Sequence, residues 1–560
     1  MLNGSIGDRP VMVKMETIFA RAVEHHLADR IEEANREYRA VLAIDPKHAP
    51  SWHLLGALAV QRGERQTAIE MIEAAIAIDP DTPAYFNDLG EALRLTRQPV
   101  KAAACYRKAL ALDPTYVAAH NNLGIAEFAQ GRPAKATGHY RRALALNRNF
   151  APAHLNLGVA LLETGQVEAA AATFETAQRL APDNPGLGLN IANLRQAQNR
   201  LDEAIATYRA LLAADPMHVE AMVNLGDALR RQGRPDAALG YFEAALALDP
   251  DLPAARWNAG LCYLLLGDFP RGWAGFAWRF KAGAVAPQNS PLPDWAGEPL
   301  ADRRILVEAE QGLGDTIQVA RYLTRLKAAG AGEVALLCNK QLGRLLGSLC
   351  RTISDDAPAP SWDCRIPLLD LPRLFGTAVT TIDNAVPYIE VAPDRVALWR
   401  ERLAPLPVPR IGLVWRGRSD HKNDRNRSMP AAALAPLTRL PAGWVSLQQG
   451  ATKDELAALG PILHLGDDFG DLLDAAEAIA ALDLVVTVDT ALAHLAGALG
   501  KPVWLLLPLA PDWRWMVGRS DSPWYPTARL FRQPRIGDWD SVIRDVAAAL
   551  TGFNASASEG

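Results

Sequence analysis

The chain has 560 residues, of which 22% are charged and 49% are hydrophobic, and its formal net charge is −5. That length exceeds what one hydrophobic core usually supports, so about two to four domains are expected. The slightly acidic balance excludes the basic footprint of a nucleic-acid-binding surface. Five scattered cysteines without a C-x-x-C pair argue against a disulfide framework or a zinc site, and they indicate reduced thiols in the cytoplasm.

Residues 1–14 contain no apolar segment of the kind that directs secretion, so we predict a disordered leader there. The chain also has no run of about 18 uncharged apolar residues, which is the least that a transmembrane helix needs. We therefore predict a protein without a transmembrane segment.

A period of 34 residues runs through the first half of the chain. Asp-Pro pairs or close equivalents mark one phase of this period, small residues hold a second, and aromatic residues hold a third. Small residues let two helices approach closely, and each proline ends a helix at a fixed point. The positions are Asp45, Asp79, Asp113, Ala181, Asp215 and Asp249 for the marker; Gly56, Gly90, Gly124, Gly158, Gly226 and Gly260 for the small residue; and Tyr38, Tyr106, Tyr140, Phe174, Tyr208 and Phe242 for the aromatic residue.

This pattern resembles the tetratricopeptide repeat, and the resemblance covers residues 15–282. It predicts an α-helical superhelix of seven repeats. A degenerate eighth repeat, which begins at Pro253, is predicted to cap the array against the next domain.

Asparagine holds one further phase of the repeat, at Asn122, Asn156, Asn190, Asn224 and Asn258. A superhelix would stack these amides on one surface, where they could bond the backbone of an extended peptide. Alternatively, each asparagine bonds a neighbouring helix end within the solenoid. The first interpretation makes these five residues candidates for binding a protein or peptide partner.

The rest of the chain divides at two segments of unusual composition. Residues 283–302 are rich in alanine, glycine and proline, as is typical of an extended linker, and a proline-rich hinge begins at residue 405. We predict a first half over 303–404, a second half over 405–553 and a disordered tail over 554–560.

The first half opens with a predicted strand over 304–308 that ends at a glycine-rich turn. A helix and a second strand over 333–338 follow. Gly312 and Gly314 allow tight backbone geometry and close approach of a ligand. Asp315 is placed at the start of the helix, either as a cap or as a base that faces the cleft.

The second half begins with a predicted strand over 410–415, which leads into a strongly basic loop. A loop of this charge at the carboxyl end of a strand suits a diphosphate leaving group, although a solvated basic loop is the alternative. Its cationic or potentially cationic residues are Arg416, Arg418, His421, Lys422, Arg425 and Arg427.

A second strand–helix–strand unit lies over 482–508, with Asp489 and Thr490 directly after a buried apolar strand. Such a unit implies a right-handed crossover between parallel strands, and parallel sheets bind ligands beyond the carboxyl ends of their strands. The exposed amides of the helix start favour an anion such as a diphosphate. His494 lies about one helical turn further on the same face. Alternatively, either Asp489 or Thr490 is only an N-cap, and His494 is a core histidine.

Two aromatic segments follow, at 512–515 and 522–526. They are predicted either to close the domain by packing or to form a wall of a ligand site, for the donor or for the acceptor of a transferred group. Asp538-Trp-Asp540 matches the metal-binding D-x-D pattern only superficially, because it precedes an amphipathic helix that it can cap. We predict no metal site.

Residues 304–553 resemble the family 9 glycosyltransferases, the heptosyltransferase-like group, in the branch that is fused to tetratricopeptide repeats. The resemblance is carried by Gly314-Asp315, Lys422, Asp489-Thr490 and His494. It implies two Rossmann-like domains that face a cleft, the GT-B fold, and inverting, metal-independent transfer. It further implies that Asp315 is the base and that Lys422 contacts the donor phosphate. Binding of the nucleotide sugar is assigned to Asp489, Thr490 and His494.

The sequence therefore predicts a helical tetratricopeptide solenoid followed by an α/β GT-B-type transferase, whose first half serves the acceptor and whose second half serves the nucleotide sugar. The predicted activity is the transfer of a sugar from a nucleotide-activated donor to an acceptor. The nucleotide sugar is a co-substrate, and no further cofactor is predicted. A protein is one candidate for the acceptor. The alternatives are a non-catalytic scaffold and a sugar-nucleotide epimerase. The predicted donor-binding residues are Gly312, Gly314, Arg416, Lys422, Arg425, Asp489, Thr490 and His494.

Overall fold

The structure is a computed structural model that describes residues 8–286, 290–354, 362–419 and 423–553, and only the backbone of residues 8–11. The chain divides into two compact units, Met1–Leu211 and Leu212–Gly560. Each unit is described by itself. The predicted tail over 554–560 lies outside the described residues.

The first unit is a stack of paired helices, in which each helix from α1 to α10 packs against the next one along the chain. The first helix begins before the predicted start of the repeats, so the part of the predicted leader from residue 8 onward is helical. The helices are α1 (Asp8–Leu27), α2 (Ile31–Ile44), α3 (Ala49–Gln61), α4 (Arg65–Ile78), α5 (Pro83–Leu95), α6 (Pro99–Leu112), α7 (Val117–Ala129), α8 (Pro133–Leu146), α9 (Ala151–Glu163), α10 (Val167–Leu180), α11 (Pro185–Ala197) and α12 (Leu201–Ala214), the last of which crosses the boundary between the units.

The glycine and aromatic phases meet inside four of the repeats. A Cβ atom added to Gly124 in α7 would lie 2.5 Å from Cε1 of Tyr140 in α8, and Gly90 stands in the same relation to Tyr106. Both tyrosines are buried. The two helices approach closely, as the small residue predicts, and the glycine is required by the aromatic ring of the same repeat that packs over it.

Substitution by alanine should change the stability of the protein in opposite directions at two glycines of adjacent helices. Gly124→Ala is expected to lower the free energy of unfolding by about 1–3 kcal/mol, because the buried ring of Tyr140 must move. Gly138→Ala in α8 is the matched control, since its added Cβ meets nothing within 4 Å. It should stabilise the helix by about 0.5–1 kcal/mol. Urea denaturation of both variants measures the difference, and equal effects would contradict this account of the packing.

The second unit begins with the last repeats and continues into an α/β region. The repeat helices are α13 (Val219–Arg231), α14 (Pro235–Leu248), α15 (Pro253–Leu266) and the shorter α16 (Phe269–Phe276). The strands are β1 (Arg304–Glu308), β2 (Glu333–Cys338), β3 (Arg351–Ser354), β4 (Cys364–Pro367), β5 (Arg410–Val414), β6 (Gly443–Ser446), β7 (Leu463–His464), β8 (Leu484–Val488), β9 (Val503–Leu507) and β10 (Ala528–Arg532).

The remaining helices connect these strands. They are α17 (Leu313–Val319), α18 (Leu323–Ala328), α19 (Lys340–Leu346), α20 (Leu371–Leu374), α21 (Pro393–Leu403), α22 (Asp424–Arg427), α23 (Ala435–Thr438), α24 (Lys453–Leu459), α25 (Leu472–Ala480), α26 (Ala491–Ala498) and α27 (Trp539–Leu550). The helix predicted between β1 and β2 begins at Leu313 and passes through a 3-10 turn between α17 and α18.

The strands form two parallel sheets, with the orders β3-β2-β1-β4 and β10-β9-β8-β5-β6-β7. Successive residues of β8 contribute to hydrophobic clusters on opposite faces of the larger sheet, Val485 to one and Val486 to the other. The chain order reverses between β1 and β4 in the small sheet and between β5 and β8 in the large one. Ligands of open parallel sheets bind at such switch points, beyond the carboxyl ends of the strands.

The last repeat shares its hydrophobic core with the α/β region. Leu265 of α15 and Trp273 of α16 belong to one buried cluster with Val307 of β1 and Val503 of β9. The indole N–H of Trp273 donates to the carbonyl of Thr377 at 2.8 Å. The structure therefore joins residues 212–282 to the α/β region, whereas the sequence pattern places a domain boundary at residue 283.

The predicted linker is partly tied to the small sheet. Within the described part of residues 283–302, Asp294 forms a parallel bridge with Arg365, and the backbone N–H of Trp295 donates to the Arg365 carbonyl at 2.7 Å. Trp295 and Leu300 are buried. This segment therefore extends along β4 instead of remaining a free connection.

Candidate functional site

The candidate site lies where β1 of the small sheet and β8 of the large sheet end. The glycine-rich turn follows β1, and Asp489 follows β8. Both strands lie at the switch point of their sheet. The helices that begin there, α17 and α26, pack against each other. The topology thus brings the two motifs of the sequence to one place.

Asp315 caps the turn in which it lies. Its Oδ2 accepts the backbone N–H of Gly312 at 2.7 Å, in a capping arrangement at the start of α17. The other carboxylate oxygen pairs with Arg514. The side chain is 21% exposed, so it remains at the surface of the site. The geometry is that of the cap alternative, and the role of Asp315 as a base stays a prediction.

Gly314 permits a close contact between the two halves of the α/β region. A Cβ atom at this position would lie 2.7 Å from Cδ2 of His494 and 3.3 Å from Cα of Ala491. The glycine therefore lets α17 approach α26. Its predicted contact with a donor, like that of Gly312, stays a prediction.

His494 is a buried histidine with a defined partner on each side. Its Nδ1 lies 3.0 Å from the hydroxyl of Tyr525, and its Nε2 lies 3.9 Å from Oδ1 of Asp489. The imidazole stacks on Trp515 with ring centroids 5.1 Å apart. Burial, and then the charges of Arg514 and Arg321, hold its pKa well below the usual value. The ring is therefore neutral near pH 7.

Asp489 is a carboxyl group that the fold keeps in an unfavourable environment. Burial and the neighbouring charge of Asp512 raise its pKa to about 7. Thr490 is the N-cap residue of α26 without a side-chain cap bond, and its hydroxyl lies 3.3 Å from that of Thr487. A carboxyl group at a strand end with so strongly shifted a pKa marks a candidate functional residue.

Because the folded state disfavours ionised Asp489, Asp489→Asn should stabilise the protein in alkaline solution. The folded pKa is raised, so the wild type loses stability as the pH rises from about 4 through about 7, and the asparagine variant does not. We expect the variant to be more stable by about 1–3 kcal/mol at pH 8 and by less at pH 5. Thermal denaturation at both values measures this, with the exposed Asp540→Asn as control. A gain that is equal at both pH values would contradict the assigned pKa.

The cationic side chains of the basic loop point in different directions. Arg416 points to α24, where its Nε donates to Oε1 of Glu455 at 2.9 Å and lowers the pKa of that carboxyl to about 2. Arg425 lies exposed on α22. Arg427 donates from Nη1 to the backbone carbonyl of Asp489 at 3.0 Å. Among the described residues of this loop, Arg427 is a cation that the structure brings to the strand ends, and the predicted donor-binding residues did not include it. Lys422 lies outside the described residues.

Sequence reasoning also missed Arg514, which belongs to the aromatic segment after β9. Its guanidinium contacts Asp315, Asp512 and Gln318. The only signal was an arginine between two tryptophans, which is equally typical of a packed loop.

Members of the asparagine phase form hydrogen bonds inside the repeat array, but the partners differ from the neighbouring helix ends of the alternative interpretation. In the first unit, the Nδ2 atoms of Asn122 and Asn156 donate to the Oδ1 atoms of Asn87 and Asn121, at 3.0 and 2.9 Å. The other members bond backbone carbonyls of their own helices, Asn190 to Gly186 at 2.8 Å and Asn258 to Ala254 at 3.0 Å, and Asn224 is also engaged. Peptide binding through these residues stays a prediction.

No group of three or more histidine, cysteine or acidic side chains within the described ranges is arranged to hold a metal ion. Asp538 of the D-x-D pattern caps α27, because its Oδ1 accepts the N–H of Ser541 at 3.1 Å. Among the same residues, no helix combines the length and apolar character that crossing a membrane requires.

These features define a tetratricopeptide repeat protein with a C-terminal parallel α/β region and a strand-end site. Models of the tetratricopeptide repeat match residues 26–89, 101–131, 121–185, 189–253 and 229–272. The model of glycosyltransferase family 9 (heptosyltransferase) matches residues 470–506, which contain Asp489, Thr490 and His494.

One curated relative is Protein FlbA of Caulobacter vibrioides, which is 29% identical over 338 residues. The match spans 55% of this chain and 56% of that protein, so the chain covers little more than half of the relative. Among solved structures, PilW, a type IV pilus biogenesis factor, is 26% identical and covers 37% of this chain and 96% of its own, with a TM-score of 0.34. A tetratricopeptide repeat protein from Parabacteroides merdae is 15% identical over 44% of this chain and 98% of its own, with a TM-score of 0.37.

Proposed function

We propose that the protein is an inverting, metal-independent glycosyltransferase of the GT-B type, which moves a sugar from a nucleotide-activated donor to an acceptor. The observation that supports this most is the convergence of two motifs from two separate parallel sheets. Asp315 follows β1 and Asp489 follows β8, and Gly314 packs on His494 between them. A site at the facing carboxyl ends of two parallel sheets suits a nucleotide sugar between two Rossmann-like halves.

In the proposed reaction, Asp315 removes the proton from the attacking hydroxyl or amide group of the acceptor. The acceptor atom forms a bond to the anomeric carbon of the sugar while the bond from that carbon to the donor phosphate breaks. The bonding electrons leave with the nucleotide phosphate, and attack from the opposite face inverts the anomeric centre. Cations then stabilise the departing phosphate. Arg427, which lies at the end of β8, and Lys422, through the family resemblance, are assigned to this role.

Asp489, Thr490 and His494 would hold the nucleotide sugar at the start of α26. The free amides of a helix start attract an anion, and Thr490 leaves them available because its own side chain does not cap them. Neutral His494 can donate or accept a hydrogen bond without repelling a cation. Its contact with Tyr525 fixes the ring in one orientation.

A protein is the acceptor that the repeats favour. Repeat arrays leave an extended concave surface free for a partner. The final repeats share a buried core with the α/β region, so a partner that binds them is held by the same compact unit as the candidate site. We place the protein in the cytoplasm, where thiols stay reduced, and the cysteines of the structure are free.

The direct test is to incubate the purified protein with a panel of nucleotide sugars and to follow nucleotide release and the fate of the sugar. A glycosyltransferase releases nucleotide and transfers or hydrolyses the sugar. An epimerase changes the sugar without a steady transfer to any acceptor, and a scaffold does neither. Absence of both sugar transfer and nucleotide release across the panel would refute the proposal.

The acceptor class is tested with labelled donor and cell extract. Replacing Asn156, Asn190 and Asn224 together by alanine should reduce labelling of protein and leave hydrolysis of the donor by water unchanged. Asn149→Ala, in the exposed turn before α9, is the control. Melting curves show whether the lost side-chain bonds destabilise the array. Label that enters only glycolipid or polysaccharide would contradict a protein acceptor.

A further inference from the structure

Arg514 is a buried cation that joins the two halves of the α/β region. It lies in a 3-10 turn after β9, and it is 4% exposed. Its Nη1 contacts Oδ1 of Asp512 at 2.7 Å, and its Nη2 pairs with Oδ1 of Asp315 at the end of β1. Its Nε donates to the buried amide oxygen of Gln318, one turn further along α17.

The surroundings keep this guanidinium charged. Burial alone favours loss of the charge, but Asp315 and Asp512 more than offset it, so the pKa of Arg514 is raised. The charge of Asp489 acts in the same direction. Removing a cation from water costs several kcal/mol unless carboxylates compensate it, so a buried arginine depends on its partners. Here one of the main partners, Asp315, is the proposed base.

In this arrangement both oxygens of Asp315 are engaged, one by Gly312 and one by Arg514. Each oxygen keeps a further lone pair, but a proton on Asp315 would remove one of the two carboxylate charges that compensate buried Arg514. Proton transfer to Asp315 is therefore favoured when another anion takes its place beside Arg514. A phosphate group is suited to this exchange, because the guanidinium fork binds oxyanions through two parallel hydrogen bonds.

We propose that Arg514 is a donor-phosphate-binding residue, and that binding of the donor exchanges its partner Asp315 for the phosphate and so frees Asp315 to act as the base. The inference rests on the proposed function, and it adds a residue and an order of events. The position supports it, because Arg514 pairs with Asp315 in the helix that follows the turn after β1 and is also influenced by the charge of Asp489, which follows β8. Arg427, on the carbonyl of Asp489, supplies a second cation at the end of β8.

The exchange has two consequences that a purely structural ion pair does not share. The donor should bind before the acceptor is deprotonated, because its phosphate replaces the carboxylate charge that Arg514 loses when Asp315 takes up the proton. In addition, Asp315 and the donor phosphate compete for one guanidinium, so removing the carboxylate should strengthen phosphate binding while it abolishes transfer.

Binding is measured by calorimetry with CMP, UDP, GDP, ADP and dTDP, the nucleotides released from common sugar donors. For the nucleotide that the wild type binds best, Arg514→Gln should weaken binding by about tenfold or more, and Asp315→Asn should strengthen it by about threefold or more. Arg519→Gln is the matched control, since Arg519 lies in the same segment but pairs with the exposed Asp521. It should stay within about twofold of the wild type.

The outcomes separate the two proposals. If the wild type binds none of these nucleotides, the proposed function fails and this inference fails with it. If the wild type binds one and a folded Arg514→Gln variant binds it equally well, or Asp315→Asn leaves the affinity unchanged, only the inference is overturned. If Arg514→Gln does not fold, Arg514→Lys keeps the charge but loses the fork, and it should weaken binding by about threefold to tenfold. Wild-type affinity in that variant would also overturn the inference.

Discussion

Asp315→Asn is expected to lower the rate of sugar transfer by about 10²-fold or more, the range for loss of a positioned general base. Asparagine keeps the size of the side chain and can still accept the N–H of Gly312, so the glycine-rich turn should remain intact. It cannot take a proton from the acceptor. The affinity for the donor should not weaken, because the lost carboxylate is an anion and does not attract the donor phosphate. The measurements are single-turnover transfer and equilibrium binding of the donor on the same preparation.

The control for this variant is Asp383→Asn, which alters an exposed aspartate of the same half. It should transfer sugar at the wild-type rate. If Asp315→Asn also transfers near the wild-type rate, Asp315 is only the cap of α17 and another group must act as the base. A loss of activity with a large fall in melting temperature would instead show that the ion pair with Arg514 supports the fold.

The largest effect on stability is expected from Arg279→Met. Arg279 follows α16 and is completely buried, with Nη2 at 2.7 Å from Oε1 of Glu310 and Nη1 at 2.9 Å from Oδ1 of Asp370. Removing one member of such a network leaves buried carboxylates without their cation. We expect a loss of about 3–5 kcal/mol in the free energy of unfolding. Chemical denaturation measures it, and Arg271→Met, which alters a largely exposed pair with Asp268, should have a much smaller effect.

The pH dependence of this loss has a definite sign. Burial raises the pKa of Glu310 to about 7 even though Arg279 lowers it. A carboxyl group with a raised folded pKa stabilises the fold at low pH and loses that contribution as the pH rises through about 7. Without Arg279 the penalty grows, so Arg279→Met should be more destabilising at pH 8 than at pH 5. The double variant Arg279→Met, Glu310→Gln should recover part of the loss at pH 8. No recovery would contradict the assigned role of Glu310.

The repeats and most strand positions could be predicted from the sequence because they depend on local periodicity. The strand over 304–308 follows from an apolar run of the right length, and the structure confirms it as β1. The small residue predicts the close approach of the two helices in a repeat, but only the structure shows that Gly124 lies under the ring of Tyr140.

The site was only partly predictable, because its contacts join distant parts of the chain. Arg416 and Arg427 look equivalent in a basic loop, yet one points to α24 and the other to the end of β8. Arg514 pairs with Asp315 across about two hundred residues of sequence. The direction of a side chain is set by the sheet beneath its loop, and no local pattern records it. The asparagine phase shows the same limit, since equal spacing did not reveal which atoms the amides bond.

The hydrophobic core that α15 and α16 share with the α/β region also determines where a chimera of this protein with another can be joined. A chimera joined at residue 283 would cut through a continuous packed interior and expose Trp273 and Phe276, which are almost fully buried. A junction near residue 211 follows the boundary between the compact units. Repeat arrays of other lengths or specificities should therefore be grafted upstream of the final two repeats, which belong to the same compact unit as the α/β region.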